Sequence, residues 1–179
     1  MNFRTTTPST TSDRMNLEKL FQETIPAYTD KFSIPEGFLF EPPHSHLGYR
    51  MRQVKVGDVV VAGCVDRMPE AALRTENRTQ DNWMNTYKVR EIAGLAVSEK
   101  FRRRGLGSEL LAEVEDKSRA GGVEFLFGVV NESEMVEELA QFYTSTGFVI
   151  ADQLPEFFGT CWYHPQTPVA FYFYKKLNP

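Results

Sequence analysis

The chain has 179 residues, enough for one well-buried domain and short for two. Its net charge of −4 argues against broad electrostatic binding to nucleic acid or to an anionic membrane surface. No apolar run approaches the ~20 residues of a membrane span, and the opening MNFRTTTPSTTSDR lacks a secretory hydrophobic region. The expectation is therefore a single cytoplasmic domain over 1–179. Cys64 and Cys161 are far apart in sequence and read as reduced thiols, with no spacing that suggests zinc.

Residues 2–7 predict an opening strand, followed by the cap-rich PSTTSD and a helix over about 14–28. Met15, Leu17, Leu20, Phe21 and Ile25 give that helix an apolar face of the core type. Pro35, Pro42 and Pro43 make 32–46 irregular. Residues 47–56 and 58–67, joined at Gly57, predict an antiparallel strand pair, the second apolar enough to be central. The polar, nonperiodic stretch 68–88 reads as a long loop or hairpin tip.

A strand over 88–97 comes next, then a helix over about 105–120 stopped by Gly121 and Gly122. The remaining expectations are a strand over 123–130, a helix over 134–146, a strand over 147–152 and, after an aromatic segment, a strand over 169–177. This order fits an α+β domain with a central mixed sheet.

The run EIAGLAVSEKFRRRGLGSELL joins an apolar strand to a helix through a loop of arginines and glycines. N–H groups at a helix start, the positive end of the helix dipole and the guanidinium groups of Arg102, Arg103 and Arg104 all favour a polyanion. Gly105 and Gly107 let the backbone turn and approach phosphate oxygens closely. No Lys-Ser/Thr follows the glycines, as a P-loop requires, and no third glycine completes a dinucleotide fingerprint.

Arg102-Arg103-Arg104-Gly105-Leu106-Gly107 resembles the Gln/Arg-x-x-Gly-x-Gly/Ala signature of the GCN5-related N-acetyltransferase (GNAT) superfamily. The likeness extends over nearly the whole chain, least specifically in its N-terminal third. It implies a three-layer α/β/α fold with a central mixed, mostly antiparallel sheet splayed at the acetyl-CoA site. It also implies that acetyl-CoA is the co-substrate, held by 102–107 with Ser108 and by backbone groups of Leu95, Ala96 and Val97. Unpaired backbone groups on that strand would meet the pantetheine amides, and one N–H would meet the thioester carbonyl.

Amide formation needs a neutral amine, and a lysine-like amine is only ~0.1% neutral at pH 7, a deficit of roughly 4 to 5 kcal/mol. Glu91 precedes Gly105 by fourteen positions. The resemblance places the catalytic glutamate of the histone-acetylating branch in the same context. Alternation puts Glu91, Ala93, Leu95 and Val97 on one face of the strand, and apolar neighbours there would raise the carboxyl pKa toward that of a useful base. The alternatives are an ordered-water relay held by Glu91, or a glutamate at a solvated strand end.

FYTSTGF resembles the family's later Tyr-x-x-x-Gly-Phe motif, which implies that Tyr143 protonates the leaving thiolate; the other reading is a tyrosine packed beside Phe142. Asn131 is implied in pantetheine binding, although it lies twelve positions before Tyr143, several more than the family pattern has. His44 and His46 read as ordinary loop histidines with no third metal ligand, the alternative being that they line the acceptor cleft or serve as the base in place of Glu91. Cys64 and Cys161 lack a histidine placed to activate them.

The acceptor is expected to be a small-molecule or peptide primary amine, met by the first helix, 68–88 and the aromatic loop 157–164, with Glu41, Glu70, Asp152 and Glu156 as attractors for a cation. The rival reading from another class is a noncatalytic acyl-CoA sensor that binds a protein partner. A longer acyl chain and a homodimer are left open, and neither metal, nucleic acid nor membrane is expected to take part.

Overall fold

The computed structural model describes residues 3–25, 50–68, 88–131, 135–153, 155 and 168–177. Their elements are β1 (Thr5–Thr6), α1 (Thr11–Thr24), β2 (Arg50–Val56), β3 (Val59–Arg67), β4 (Val89–Val97), one 3-10 turn (Glu99–Phe101), α2 (Leu106–Ala120), β5 (Phe125–Asn131), α3 (Val136–Ser145), β6 (Val149–Ala151) and β7 (Val169–Lys176). The seven strands form one sheet in the order β1-β2-β3-β4-β5-β7-β6. Its β4–β5 pair is parallel, whereas β1–β2, β2–β3, β5–β7 and β6–β7 are antiparallel. A mixed sheet with three helices is the α+β architecture that the element order predicts. Two compact units divide the chain: Met1–Asp66 with Ala93–Glu113, and Arg67–Ile92 with Val114–Pro179.

In the first unit α1 starts three residues before the predicted position. The Thr10 side chain accepts the Asp13 N–H at 3.0 Å and so caps the helix within the cap-rich stretch. Ile25 is extended (φ −107°, ψ 105°) and ends the helix, because Pro26 follows in the sequence and disfavours helical backbone in the residue before it. Leu17, Leu20 and Phe21 pack on Met51, Val60, Val65 and Ala96.

That seat depends on the missing side chain of Gly63, where a Cβ would lie 2.1 Å from a Leu17 methyl; a Cβ on Gly94 would meet the Phe21 ring at 3.6 Å, an ordinary packing distance. Gly57 (φ +61°) opens the two-residue turn between Val56 and Val59, as a type II′ hairpin requires. On the same strand pair the buried Asp66 carboxylate accepts from Arg52 at 2.7 Å and from Arg50 at 2.8 Å.

In the second unit β5 pairs with β7 from Phe125↔Lys176 to Asn131↔Val169, and Val89 and Phe127 form a core with Phe125 and Tyr174. Gly147 (φ +85°) follows α3 in the left-handed conformation common after helices. Lys175 Nζ donates to the Thr146 carbonyl at 2.8 Å and to Glu115 at 2.7 Å, tying the end of α3 to α2.

Asp13 also binds Lys55 and the Ser9 N–H. The Lys55 hydrogen bond, followed by that from Ser9, lowers the Asp13 pKa from an ordinary 3.8 to about 2. A carboxyl depressed in the folded state adds stability above its unfolded pKa and loses it as pH falls through the folded one. Screened by solvent, Asp13 therefore contributes about 1 kcal/mol at neutral pH, lost between about pH 4 and pH 2. Asp13→Asn should lower stability at pH 7 by about 1 kcal/mol and flatten that acid limb. Urea unfolding across the range checks this, and an unchanged limb would contradict the assignment.

Candidate active site

The loop between β4 and α2 belongs to the first unit. Ser98 N–H donates to Val61 O at 2.9 Å, and the 3-10 turn closes with Phe101 N–H to Ser98 O at 2.8 Å. Arg102 Nε then reaches back to Val97 O at 3.3 Å and fastens the loop to the strand it leaves. Arg103 follows with φ +59°, left-handed backbone that costs a non-glycine residue about 1–2 kcal/mol. Gly105 (φ +81°) has open space where a Cβ would stand.

The Glu109 N–H to Gly105 O bond, 2.9 Å, begins the helix, so the N–H groups of Leu106, Gly107 and Ser108 have no intrahelical acceptor. Arg103, Arg104 and Ser108 are exposed, while Leu106 is buried beneath them. The Arg104 guanidinium lies 5.2 Å from the centre of the Phe101 ring, which meets Phe3 edge-on. A phosphate fits such a cradle through its open space, its unpaired N–H donors and its exposed positive charge. Backbone strain held at that point fits a ligand-binding role.

In the first unit Ala96 is buried in the α1 cluster and a Cβ on Gly94 would face the Phe21 ring, the shared face that alternation predicts, while the partly buried Ala93 also packs against the cluster.

In the second unit the β4–β5 register runs from Val89↔Phe125 to Glu91↔Phe127 and stops there, although β4 continues to Val97. Glu91 is buried, at 2% exposure. Its predicted apolar setting is corrected by Arg67, which ends β3 and is itself buried. Arg67 donates Nε to Oε2 at 2.8 Å and Nη2 to Oε1 at 3.1 Å. Both carboxylate oxygens therefore accept from one guanidinium. The apolar run of β3 ending in arginine was the only hint in the sequence, because the partners are 24 positions apart.

Tyr143 is buried on α3, with its ring stacked on Phe173 at 3.7 Å and edge-on to Phe142 and Phe148. Asn131 ends β5, and its Oδ1 is buried with no hydrogen-bond partner among the described residues, an acceptor that a ligand amide N–H would satisfy. The helix carrying Tyr143 begins at Val136, five positions after Asn131.

Cys64 is buried, and desolvation pushes its thiol above the ordinary range, unlike an activated nucleophile. Cys161, His44, His46, Glu41, Glu70, Glu156, Trp83, 68–88 apart from Met68 and Lys88, and the loop 157–164 lie outside the described residues. No cluster that could hold a metal occurs among the described residues, and no helix there is long and apolar enough to cross a membrane.

Residues 17–148 match the profile of the acetyltransferase (GNAT) family, about three quarters of the chain. The chain belongs to the GNAT family. It is an acyltransferase by that membership. Solved structures share the GNAT fold at low identity. An acetyltransferase of the family from Staphylococcus aureus is 13% identical, with a TM-score of 0.66 over 99% of this chain and 100% of the other. GCN5 from Tetrahymena is 15% identical, with a TM-score of 0.64 over 100% and 98%. The protein yncA from Salmonella typhimurium, solved with its cofactor acetyl-CoA, is 15% identical, with a TM-score of 0.64 over 100% and 96%. Among curated proteins none matches.

A Cβ on Gly128 would lie 2.2 Å from the tip of Phe173 and under 3 Å from two more ring atoms. Gly128→Ala should therefore displace the ring on which Tyr143 stacks and destabilise the protein by about 1–3 kcal/mol. Thermal unfolding measures the loss, and a wild-type melting temperature would argue against this packing.

Proposed function

We propose that this GNAT protein is an N-acetyltransferase that joins acetyl-CoA and a primary amine in one ternary complex and transfers the acetyl group by direct attack. The observation that carries the reading is the strained loop before α2, with left-handed Arg103, open space at Gly105 and unpaired helix N–H groups. These features support diphosphate binding, and acetyl-CoA supplies the activated thioester. Arg102 fastens the loop to Val97, while Arg103 and Arg104 present charge to solvent. The unsatisfied Oδ1 of Asn131 supports a role toward a pantetheine amide.

Glu91 accepts the amine proton through an ordered water, a role supported by its burial and by the free lone pairs left on a carboxylate that accepts two hydrogen bonds. The N–H groups of Leu95, Ala96 and Val97 are the candidates to receive the thioester oxygen as charge develops on it. Tyr143 donates a proton to the departing sulfur. Its fixed ring, held by Phe173, supports a positioned hydroxyl. The C–N bond forms as the C–S bond breaks, leaving an N-acetyl amide and free CoA thiol.

Calorimetric titration with acetyl-CoA and thiol release across an amine panel test the function; absence of binding would overturn it. Glu91→Gln should lower kcat by ~10² with acetyl-CoA affinity little changed. An unaltered pH–rate profile in that variant would remove Glu91 from the mechanism. Arg103→Ala with Arg104→Ala should weaken acetyl-CoA by about tenfold but leave the phosphate-free acetyl-pantetheine unaffected.

A further inference from the structure

The cationic side of the loop before α2 rests on an aromatic contact brought in by the edge strand of the first unit. Arg104 has its guanidinium 5.2 Å from the centre of the Phe101 ring, and its side chain is exposed. Among the described residues no carboxylate pairs with it, so its charge is placed without being neutralised. An arginine side chain loose in water samples many rotamers, and the freedom lost when it settles on a phosphate weakens binding. A ring face attracts a guanidinium and leaves its charge intact, whereas a carboxylate would cancel it. Arg104 over Phe101 is therefore a cation held ready for an anion.

Phe101 can hold Arg104 in place only if its own ring is held. The backbone is fixed at its N–H, which donates to Ser98 O at 2.8 Å, while Ser98 N–H donates to Val61 O on β3 at 2.9 Å. The ring is fixed from elsewhere. Phe3 meets it edge-on, with centroids 6.3 Å apart and planes at 84°, the arrangement in which the positive edge of one ring meets the negative face of another. Phe3 lies two positions before β1, whose register on β2 (Thr5↔Val54, Thr6↔Gln53) sets where it sits. Both rings are half-buried, and neither belongs to the cluster that α1 covers. The contact thus links the edge strand to the loop at the point where Arg104 is presented.

We propose that Phe3 is a positioning residue for the phosphates of acetyl-CoA, acting through Phe101 on Arg104. This deepens the acetyltransferase reading and rests on it. The phosphate chemistry has two sources on CoA, the diphosphate and the 3′-phosphate, and the test separates them.

The experiment measures dissociation constants of the full chain for acetyl-CoA, for acetyl-dephospho-CoA, which lacks the 3′-phosphate, and for acetyl-pantetheine, which lacks every phosphate. Phe3→Ala should weaken acetyl-CoA by about threefold and leave acetyl-pantetheine unchanged. Phe3→Tyr keeps the ring and should restore the wild-type affinity. The same loss for acetyl-dephospho-CoA would assign Arg104 to the diphosphate, and a loss confined to acetyl-CoA would assign it to the 3′-phosphate.

A double variant separates this role from a merely structural one. If Phe3 acts through Arg104, adding Phe3→Ala to Arg104→Ala should lower acetyl-CoA affinity no further. A Phe3→Ala loss that persists in full without Arg104 would overturn the proposal, as would an unchanged acetyl-CoA affinity in Phe3→Ala or an equal loss for acetyl-pantetheine. Should Phe3→Ala not fold, Phe3→Leu, which stays apolar but has no aromatic edge, is judged by the same criteria. A wild-type chain that binds no acetyl-CoA would instead remove the acetyltransferase reading, whereas wild-type binding indifferent to Phe3 removes the role of Phe3 alone.

Discussion

Backbone hydrogen bonding is obligatory inside a protein, and β4 is a strand whose pairing with β5 ends at Glu91 while its own extended run continues to Val97. Peptide groups past Glu91 on that side need a partner other than β5. A strand in this condition is expensive for a purely structural sheet and useful for one that receives an extended, amide-bearing ligand. Phe21 of α1 covers the same stretch of β4 at Gly94 and Ala96.

The loop that follows β4 is governed by a second constraint, the change from extended to helical backbone within a few residues. Arg102 returns a hydrogen bond to Val97, Arg103 adopts the left-handed conformation, and Gly105 does so without steric penalty. An ordinary surface loop has no reason to keep an arginine at φ +59°. The strain is offset by the fastening on one side and by the buried Leu106 that anchors the helix on the other.

Local chemistry was legible in the sequence wherever it was dense. Each strand and helix expected among the described residues is present, and boundaries moved where a cap or proline decided them, as at Thr10 and Pro26. The arginine and glycine loop was readable because all its parts lie within a few positions. The surroundings of Glu91 were not, because alternation along one strand carries no information about the residue that ends another. Arg67 meets it across 24 positions. Tyr143 could be assigned to a helix, but its stack on Phe173 required β7.

The order of strands in the second unit has a consequence for how the protein is made. β7 pairs with β5 on one side and with β6 on the other, yet it is synthesised after both. Until it emerges from the ribosome, β6 lacks its pairing partner, β5 has only three residues of register with β4, and Tyr143 lacks Phe173. This half of the nascent chain therefore completes its sheet by insertion of a late strand, a non-local and hence slow step during which β5 and β6 expose unpaired edges. Truncated or stalled chains ending before β7 are the form in which the protein is most prone to aggregate.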